Sequence, residues 1–297
     1  MMDSSAHMAG GLHESGEGRS QHETHASEGR PFVGEKHDAV GAILVKIGGS
    51  TLGGHDTTLQ DVVALQQQGV RQVVVHGGGK IITEWMVRQG VRPKFSGGLR
   101  VTDEPSLEIV IAVLTGLVNK TLVASINALG GKAIGLSGGD GGMRTAEIKD
   151  PDPGLVGRVV EVDTSPIAAV MAAGFVPIIA PVAVYGQAPY PESESMLNVN
   201  ADTVAGEIAS AIGAERLVML TDVEGVLDSS RRLIPRLTRR QAEGLMHSKV
   251  IDGGMVPKIG ACLKALESVQ TTHIVDGRQP NALMDAFAGK VTGTRLD

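Results

Sequence analysis

Two stretches of the chain join an apolar run to a cluster of glycines. Residues 42–50 read AILVKIGGS, with Lys46 two positions before Gly48 and Gly49, and residues 72–80 read QVVVHGGGK, which holds Gly77, Gly78 and Gly79. A short run rich in Val and Ile and bounded by glycine reads as a buried strand of a parallel sheet. Glycines at the carboxyl end of such a strand admit a ligand close to backbone N–H groups, and the next helix starts there with its positive dipole end. That outlines an anion site, present twice. Two phosphate-sized anion sites and a lysine suit phosphoryl transfer, where positioning and positive charge carry the catalysis. Read as tight turns alone, the glycines leave unexplained why a lysine ends a buried strand.

The common phosphate signatures are absent: no G-x-x-x-x-G-K-[ST] occurs, and no G-x-G-x-x-G opens a helix, so neither a P-loop nor a dinucleotide fingerprint accounts for the glycines. An esterase is the rival from another class. His76-Gly77-Gly78-Gly79 has the form of an oxyanion-hole motif, and Gly135-Leu136-Ser137-Gly138-Gly139 has the form G-x-S-x-G. A nucleophile elbow must pass from strand straight into helix, whereas GGDGGMRTAEIKD after Ser137 is glycine-rich and charged and has no 3.6-residue apolar period. The esterase reading also leaves Lys46, Arg100 and the NVNAD segment idle.

The elements that would position these residues alternate in type. With 297 residues, 42% hydrophobic but only 2% aromatic, the interior must be filled by Val, Ile, Leu and Ala, which favours helices on a sheet over a β-sandwich. Helices are expected from Thr57 or Thr58 to Gln68, over 80–89, from Thr102 or Asp103 to Leu129 with Pro105 in the first turn, and over 166–173, 201–212 and 255–269, with a last one from Asn281. Strands are expected from Ala42, with Lys46 directly after that strand, and at 72–75, 132–136, 176–180, 217–220 and 273–275, and residues 156–163, VGRVVEVD, alternate like an edge hairpin strand. Such alternation implies right-handed βαβ units and a parallel sheet covered on both faces. Residues 1–38 are rich in Gly, Ser, Glu and His and are expected to be disordered; five of the nine histidines lie there at spacings that fit no zinc site. The net charge of −6 gives no nucleic-acid footprint. The single cysteine, Cys262, reads as core and suits a reducing cytoplasm. No apolar run approaches the ~18 residues that span a bilayer, and the N-terminus lacks a signal-peptide h-region, so a cytoplasmic protein without membrane partners is expected.

KIGGS, VHGGGK, GGLRVTD, LVNKTL, LNVNAD, LTDVEGVL and GGMVPKIGA stand in the order and at approximately the spacing of the amino-acid kinase family, which the chain resembles over residues 45–296. HGGG, GLRVT and NVNAD together are most similar to the members that act on N-acetylglutamate. The resemblance implies a three-layer αβα sandwich with a mainly parallel central sheet, its half over 39–181 binding the acyl acceptor and its half over 182–297 binding ATP. It implies ATP-dependent phosphorylation of the side-chain carboxylate of N-acetyl-L-glutamate to N-acetyl-L-glutamyl 5-phosphate, a step of arginine biosynthesis. Another carboxylate kinase of the family, acting on a carrier-linked aminoadipate or glutamate, is the nearest alternative.

Roles follow from the same resemblance. Lys46 and Lys258 are the catalytic cations and Asp202 the carboxylate that fixes both. Gly48, Gly49, Gly77 and Gly78 are expected to offer N–H groups to phosphate and to the acceptor's γ-carboxylate, Gly77 and Gly78 on the acceptor side. Arg100 is expected to hold the α-carboxylate through its planar fork and Asn198 to bond the N-acetyl group, while Asn200 supports the loop. Thr221, Asp222, Val223, Glu224, Gly225, Val226, Leu227, Ile251 and Asp252 join Gly48 and Gly49 on ATP, whose Mg2+ is carried by the nucleotide and water because no multi-carboxylate cage is visible. His76 is read as structural. Arginine-inhibited relatives carry an N-terminal amphipathic helix that builds hexamers; the tail lacks its apolar stripe, although HIVDGR at 273–278 resembles part of their arginine site. A homodimer with little or no arginine inhibition is therefore expected.

Overall fold

Successive residues of a strand point to opposite faces, so a strand covered on both sides must be apolar nearly throughout. In the computed structural model, Ile43–Ile47 forms such a strand, β1, with every residue buried. The structure describes residues 41–49, 56–149, 152–186, 196–290 and 293–297. The tail, residues 1–38, lies outside them, and so does its expected disorder. After β1 come α1 (Thr58–Gln67), β2 (Gln72–His76), α2 (Gly79–Arg88), β3 (Phe95–Ser96), β4 (Leu99–Arg100) and α3 (Glu104–Ile111), which runs through a π-helical stretch, Ala112–Val118, into α4 (Asn119–Ala128). Next are β5 (Ala133–Leu136), β6 (Arg144–Ile148), β7 (Gly157–Val162), α5 (Ser165–Ala172), β8 (Val176–Ile179), β9 (Val182–Tyr185) and β10 (Met196–Asn198). The chain ends with α6 (Ala201–Ala211), β11 (Arg216–Thr221), β12 (Arg236–Leu237), α7 (Arg239–His247), α8 (Met255–Ala265), β13 (Thr271–Asp276), α9 (Ala282–Phe287) and β14 (Thr294–Leu296).

The main sheet has the order β12-β14-β13-β11-β1-β2-β8-β5 and is parallel except where β14 meets β13. Its two faces carry separate apolar cores. Leu44, Val73, Val75 and Met219 pack with Val204 and Ile208 of α6 and with Ile259 and Cys262 of α8. On the other face Ile43, Val45, Ile47 and Val74 pack with Val62 of α1, Val110 of α3 and Leu122 of α4. This is the mainly parallel three-layer αβα arrangement. Because side chains alternate along β1, Lys46 falls on the Leu44 face, toward α6 and α8. His76, two positions past Val74, falls on the opposite one.

Four features depart from expectation. A second sheet, β10-β9-β6-β7, carries β7 at its edge as the alternation predicts, but β6 arises within the glycine-rich stretch after Ser137. Its first residue, Arg144, is completely buried and donates from Nη2 to the carbonyl oxygens of Ala180 and Val182; burial pushes its guanidinium down to about 9. The β3–β4 hairpin turns at Gly97 and Gly98, both in the left-handed region at φ 54° and 81°, which only glycine adopts without strain. The expected long helix is interrupted by the π-helical stretch. Finally, the expectation that nothing reaches membrane-spanning length is corrected: helix Glu104–Ala128 contains an 18-residue window of mean hydropathy 2.0. Leu107, Val110, Leu114, Leu122 and Ile126 of that helix are buried against the fold, so length and composition mislead here.

Candidate active site

Lys46 rises from the carboxyl end of β1 with 6% of its surface exposed, and the first turn of α6 meets it. Asn200 caps that helix by accepting from the Thr203 N–H, 3.0 Å, which sets Asp202 in the first turn. Asp202 is one helical turn from Gly206, so both face α8. A methyl on Gly206 would sit 2.6 Å from the Ala261 carbonyl oxygen, and its absence lets the two helices cross in contact. The crossing delivers Lys258, in the first turn of α8. Lys46 Nζ lies 2.7 Å from Asp202 Oδ1 and Lys258 Nζ lies 3.2 Å from Oδ2. Burial alone would push the Asp202 carboxyl up; the ammonium groups of Lys46 and Lys258 outweigh it and hold the carboxyl below its ordinary range. Two ammoniums on one carboxylate leave a net positive cluster, suited to an anion.

The glycine loops differ from expectation in one respect. The Gly48 N–H donates to Leu220 O at 3.0 Å and the Gly77 N–H to Ile47 O at 2.9 Å, so both extend the sheet ladder and are not free for a ligand. The N–H groups of Gly49 and Gly78 make no hydrogen bond among the described residues. These two loops touch: a Cβ on Gly49 would lie 3.1 Å from Gly78 N, and one on Gly77 3.2 Å from Gly49 N. The glycines therefore serve close mutual approach as well as ligand access.

Gly77, Gly78, Arg100 and Asn198, the expected acceptor residues, line one cavity of about 170 Å3 together with Leu114 and Asn200. Arg100 is already held: its Nη2 donates to Gly79 O at 2.9 Å and Thr83 Oγ1 at 2.8 Å, and the guanidinium lies 4.8 Å from the Phe95 ring centre. Asn198 Nδ2 donates to Thr102 Oγ1, 3.1 Å. A separate cavity of about 410 Å3 is lined by Asp222, Val223, Glu224, Gly225, Val226 and Leu227 with Ile251 and Asp252. Thr221, the remaining member of the expected nucleotide set beyond the glycines, is buried outside it and shapes its wall by accepting the Val223 N–H, 3.0 Å. Arg278, which forms an ion pair with Asp276 at 2.8 Å, also lines this cavity and was not foreseen there. Nor was Lys80, which borders a cavity of about 310 Å3 against Gly49, Gly77 and Gly78. Its place in VHGGGK was the available signal. A further cavity of about 680 Å3 lies among Gly98 of the hairpin, Thr203 and Glu207 of α6, and Pro257 and Lys264 of α8.

The esterase geometry is not formed. Ser137 Oγ donates to Asp140 Oδ2 at 2.7 Å, and the chain enters a short 3-10 turn, Asp140–Gly142, and then β6 instead of a helix. His76, wholly buried, has both ring nitrogens engaged by Gly77 and Asn119, and burial pushes it down to about 4. Among the described residues no group of three or more His, Cys, Asp or Glu side chains is placed to hold a metal ion.

Residues 41–276 match the amino acid kinase family. The chain is 42% identical over 268 residues to the acetylglutamate kinase of Synechocystis sp., covering 87% of each chain. It is 42% identical over 264 residues to that of Caldanaerobacter subterraneus subsp. tengcongensis, covering 86% of each. Among solved structures it is similar to smu.665 from Streptococcus mutans UA159, with a TM-score of 0.73 and 29% identity over 86% of this chain and 98% of that one.

Proposed function

The chain belongs to the amino acid kinase family, and from that premise we infer its reaction: transfer of the γ-phosphoryl group of ATP to the side-chain carboxylate of N-acetyl-L-glutamate, in arginine biosynthesis. One observation carries the chemistry, the buried cluster in which Asp202 holds the ammonium groups of Lys46 and Lys258. A carboxylate of pKa about 4.3 is already ionised at neutral pH, so no general base is needed. The obstacle is repulsion between an anionic nucleophile and an anionic phosphoryl group, and preorganised cations lower it.

β1 lies between β2 and β11 in the sheet, which puts Lys46 between the glycine loop after β2 and the Thr221–Leu227 loop after β11. The acceptor occupies the cavity of Arg100 and Asn198, which draws mostly on the half 39–181 and takes Asn198 to Ala201 from the other, and ATP the cavity of Asp222 to Leu227, within 182–297. Lys46 stabilises the transferring phosphoryl, Lys258 the leaving β-phosphate, and Gly49 and Gly78 donate to the oxygens between them. Arg100, pinned by Gly79 and Thr83, presents the rest of its fork to the α-carboxylate. ATP enters as its magnesium complex, so the cation arrives with the nucleotide.

A cytoplasmic homodimer completes the reading. Only 44% of the apolar window in helix Glu104–Ala128 is buried within one chain, and Leu117 on it is 42% exposed, which favours a second copy as its cover. Light scattering that returned the mass of a single chain at micromolar concentration would contradict the dimer. The activity is tested by incubating the protein with MgATP, N-acetylglutamate and hydroxylamine. An acyl phosphate is trapped as a hydroxamate; absence of hydroxamate while ADP accumulates would point away from a carboxylate acceptor.

A further inference from the structure

The peptide that joins Gly77 to Gly78 is planar, so fixing its carbonyl fixes its N–H in the opposite direction. His76 Nδ1 lies 2.9 Å from Gly77 O, and since a carbonyl oxygen only accepts, Nδ1 carries the proton. Nε2 is then bare and accepts from Asn119 Nδ2 at 3.2 Å. The orientation of the Asn119 amide is fixed from both sides: Nδ2 also donates to Ile178 O at 2.8 Å, and Oδ1 accepts from Lys120 Nζ at 3.2 Å. His76 is wholly buried and Asn119 is 1% exposed. Burial sets the ring's protonation against the Gly77 carbonyl, which favours the charged form, and burial prevails, pushing the ring down to about 4.

Asn119 is the first residue of α4, directly after the π-helical stretch. The same stretch places Leu114 beneath Gly78, where a Cβ would lie 2.7 Å from Leu114 Cδ2. Wide π turns recur at functional sites, and here the stretch sets Leu114 against the glycine loop and leads into Asn119, five residues on, against the imidazole.

We propose that His76 and Asn119 are positioning residues: the Nδ1–H of a neutral imidazole, its tautomer fixed by Asn119, clamps the Gly77 carbonyl so that the Gly78 N–H points into the gap between the two glycine loops. The peptide then donates where negative charge gathers during transfer, at no cost in reorganisation. This rests on the phosphoryl-transfer reading above. Neither residue touches substrate.

Steady-state kinetics of the intact protein with His76→Leu and His76→Asn test it. Asparagine places an amide N–H near the Nδ1 position and keeps the donor to Gly77, while both substitutions lose the bond to Asn119. His76→Leu is expected to lower kcat about ten- to a hundredfold with the KM for ATP within about twofold, and His76→Asn to recover most of that loss at a similar unfolding midpoint. Equal loss in both, in step with stability, would reduce the pair to packing and overturn the inference. Independently, 15N NMR of the histidine rings should show one imidazole protonated at Nδ1 and bare at Nε2 that vanishes in His76→Asn; an Nε2–H ring at that position would also overturn it. Failure of the unmodified protein to phosphorylate N-acetylglutamate would instead sink the functional reading, which the NMR result does not touch.

Discussion

Lys46 and Lys258 are useful only because Asp202 holds them, and this dictates how their loss should look. Each ammonium is preorganised against the same buried carboxylate, 2.7 and 3.2 Å away, so each acts on a transition state without first being ordered. Lys46→Ala and Lys258→Ala should each lower kcat by about two to four orders of magnitude with smaller changes in KM. Rapid-quench or coupled assays read this directly, and a variant retaining more than about a third of kcat would remove that lysine from the mechanism. The three residues were named from the motifs KIGGS, NVNAD and GGMVPKIGA, not from spacing. What no motif contained is the role of Gly206, whose missing side chain lets α6 and α8 cross. Nor was it legible that Gly48 and Gly77 spend their N–H groups on the sheet, since whether a ladder continues one residue past an apolar run depends on the partner strand.

Among the elements, the parallel strands were plain in the sequence because burial on both faces forces continuous apolar runs. The second sheet was not. β6 opens with a buried arginine and follows four glycines, and β9 and β10 are three or four residues long, too short for alternation to register. The π-helical interruption of the long helix also leaves no periodic mark, because it is fixed by packing on the glycine loop. That packing makes a prediction. Asn119 lies directly over Gly135 of β5, so a methyl there would overlap its Oδ1 and crowd Lys120 Nζ. Gly135→Ala should destabilise the fold by about 1–3 kcal/mol as overpacking does, measurable by denaturant titration. An unchanged midpoint would mean that the contact between α4 and β5 yields freely.

At the scale of the whole molecule, two histidines on the same face of the sheet, one on β2 and one on β13, are held neutral. Burial pushes His76 down to about 4; burial, with Arg216 and Arg295 nearby, does the same to His273. In the unfolded chain both titrate near the ordinary value of about 6.5, so below that pH the unfolded state binds more protons than the folded one. Stability is therefore full above about pH 6.5 and is lost as the pH falls toward 4. His76 alone should cost about 2 kcal/mol by pH 5, and His76→Asn should flatten the profile in urea unfolding across that window. A slope identical in the parent and the variant would show that His76 takes up no proton on unfolding.

The central claim is that a carboxylate oxygen attacks the γ-phosphorus of ATP while the β,γ-bridging oxygen departs with its electron pair on ADP. Its most direct test is 31P NMR of the reaction with MgATP and N-acetylglutamate labelled with 18O in the side-chain carboxyl. The account predicts an acyl phosphate whose phosphorus carries the isotope shift of one bridging 18O, formed in step with ADP and suppressed in Lys46→Ala. ADP accompanied only by unlabelled inorganic phosphate would contradict it.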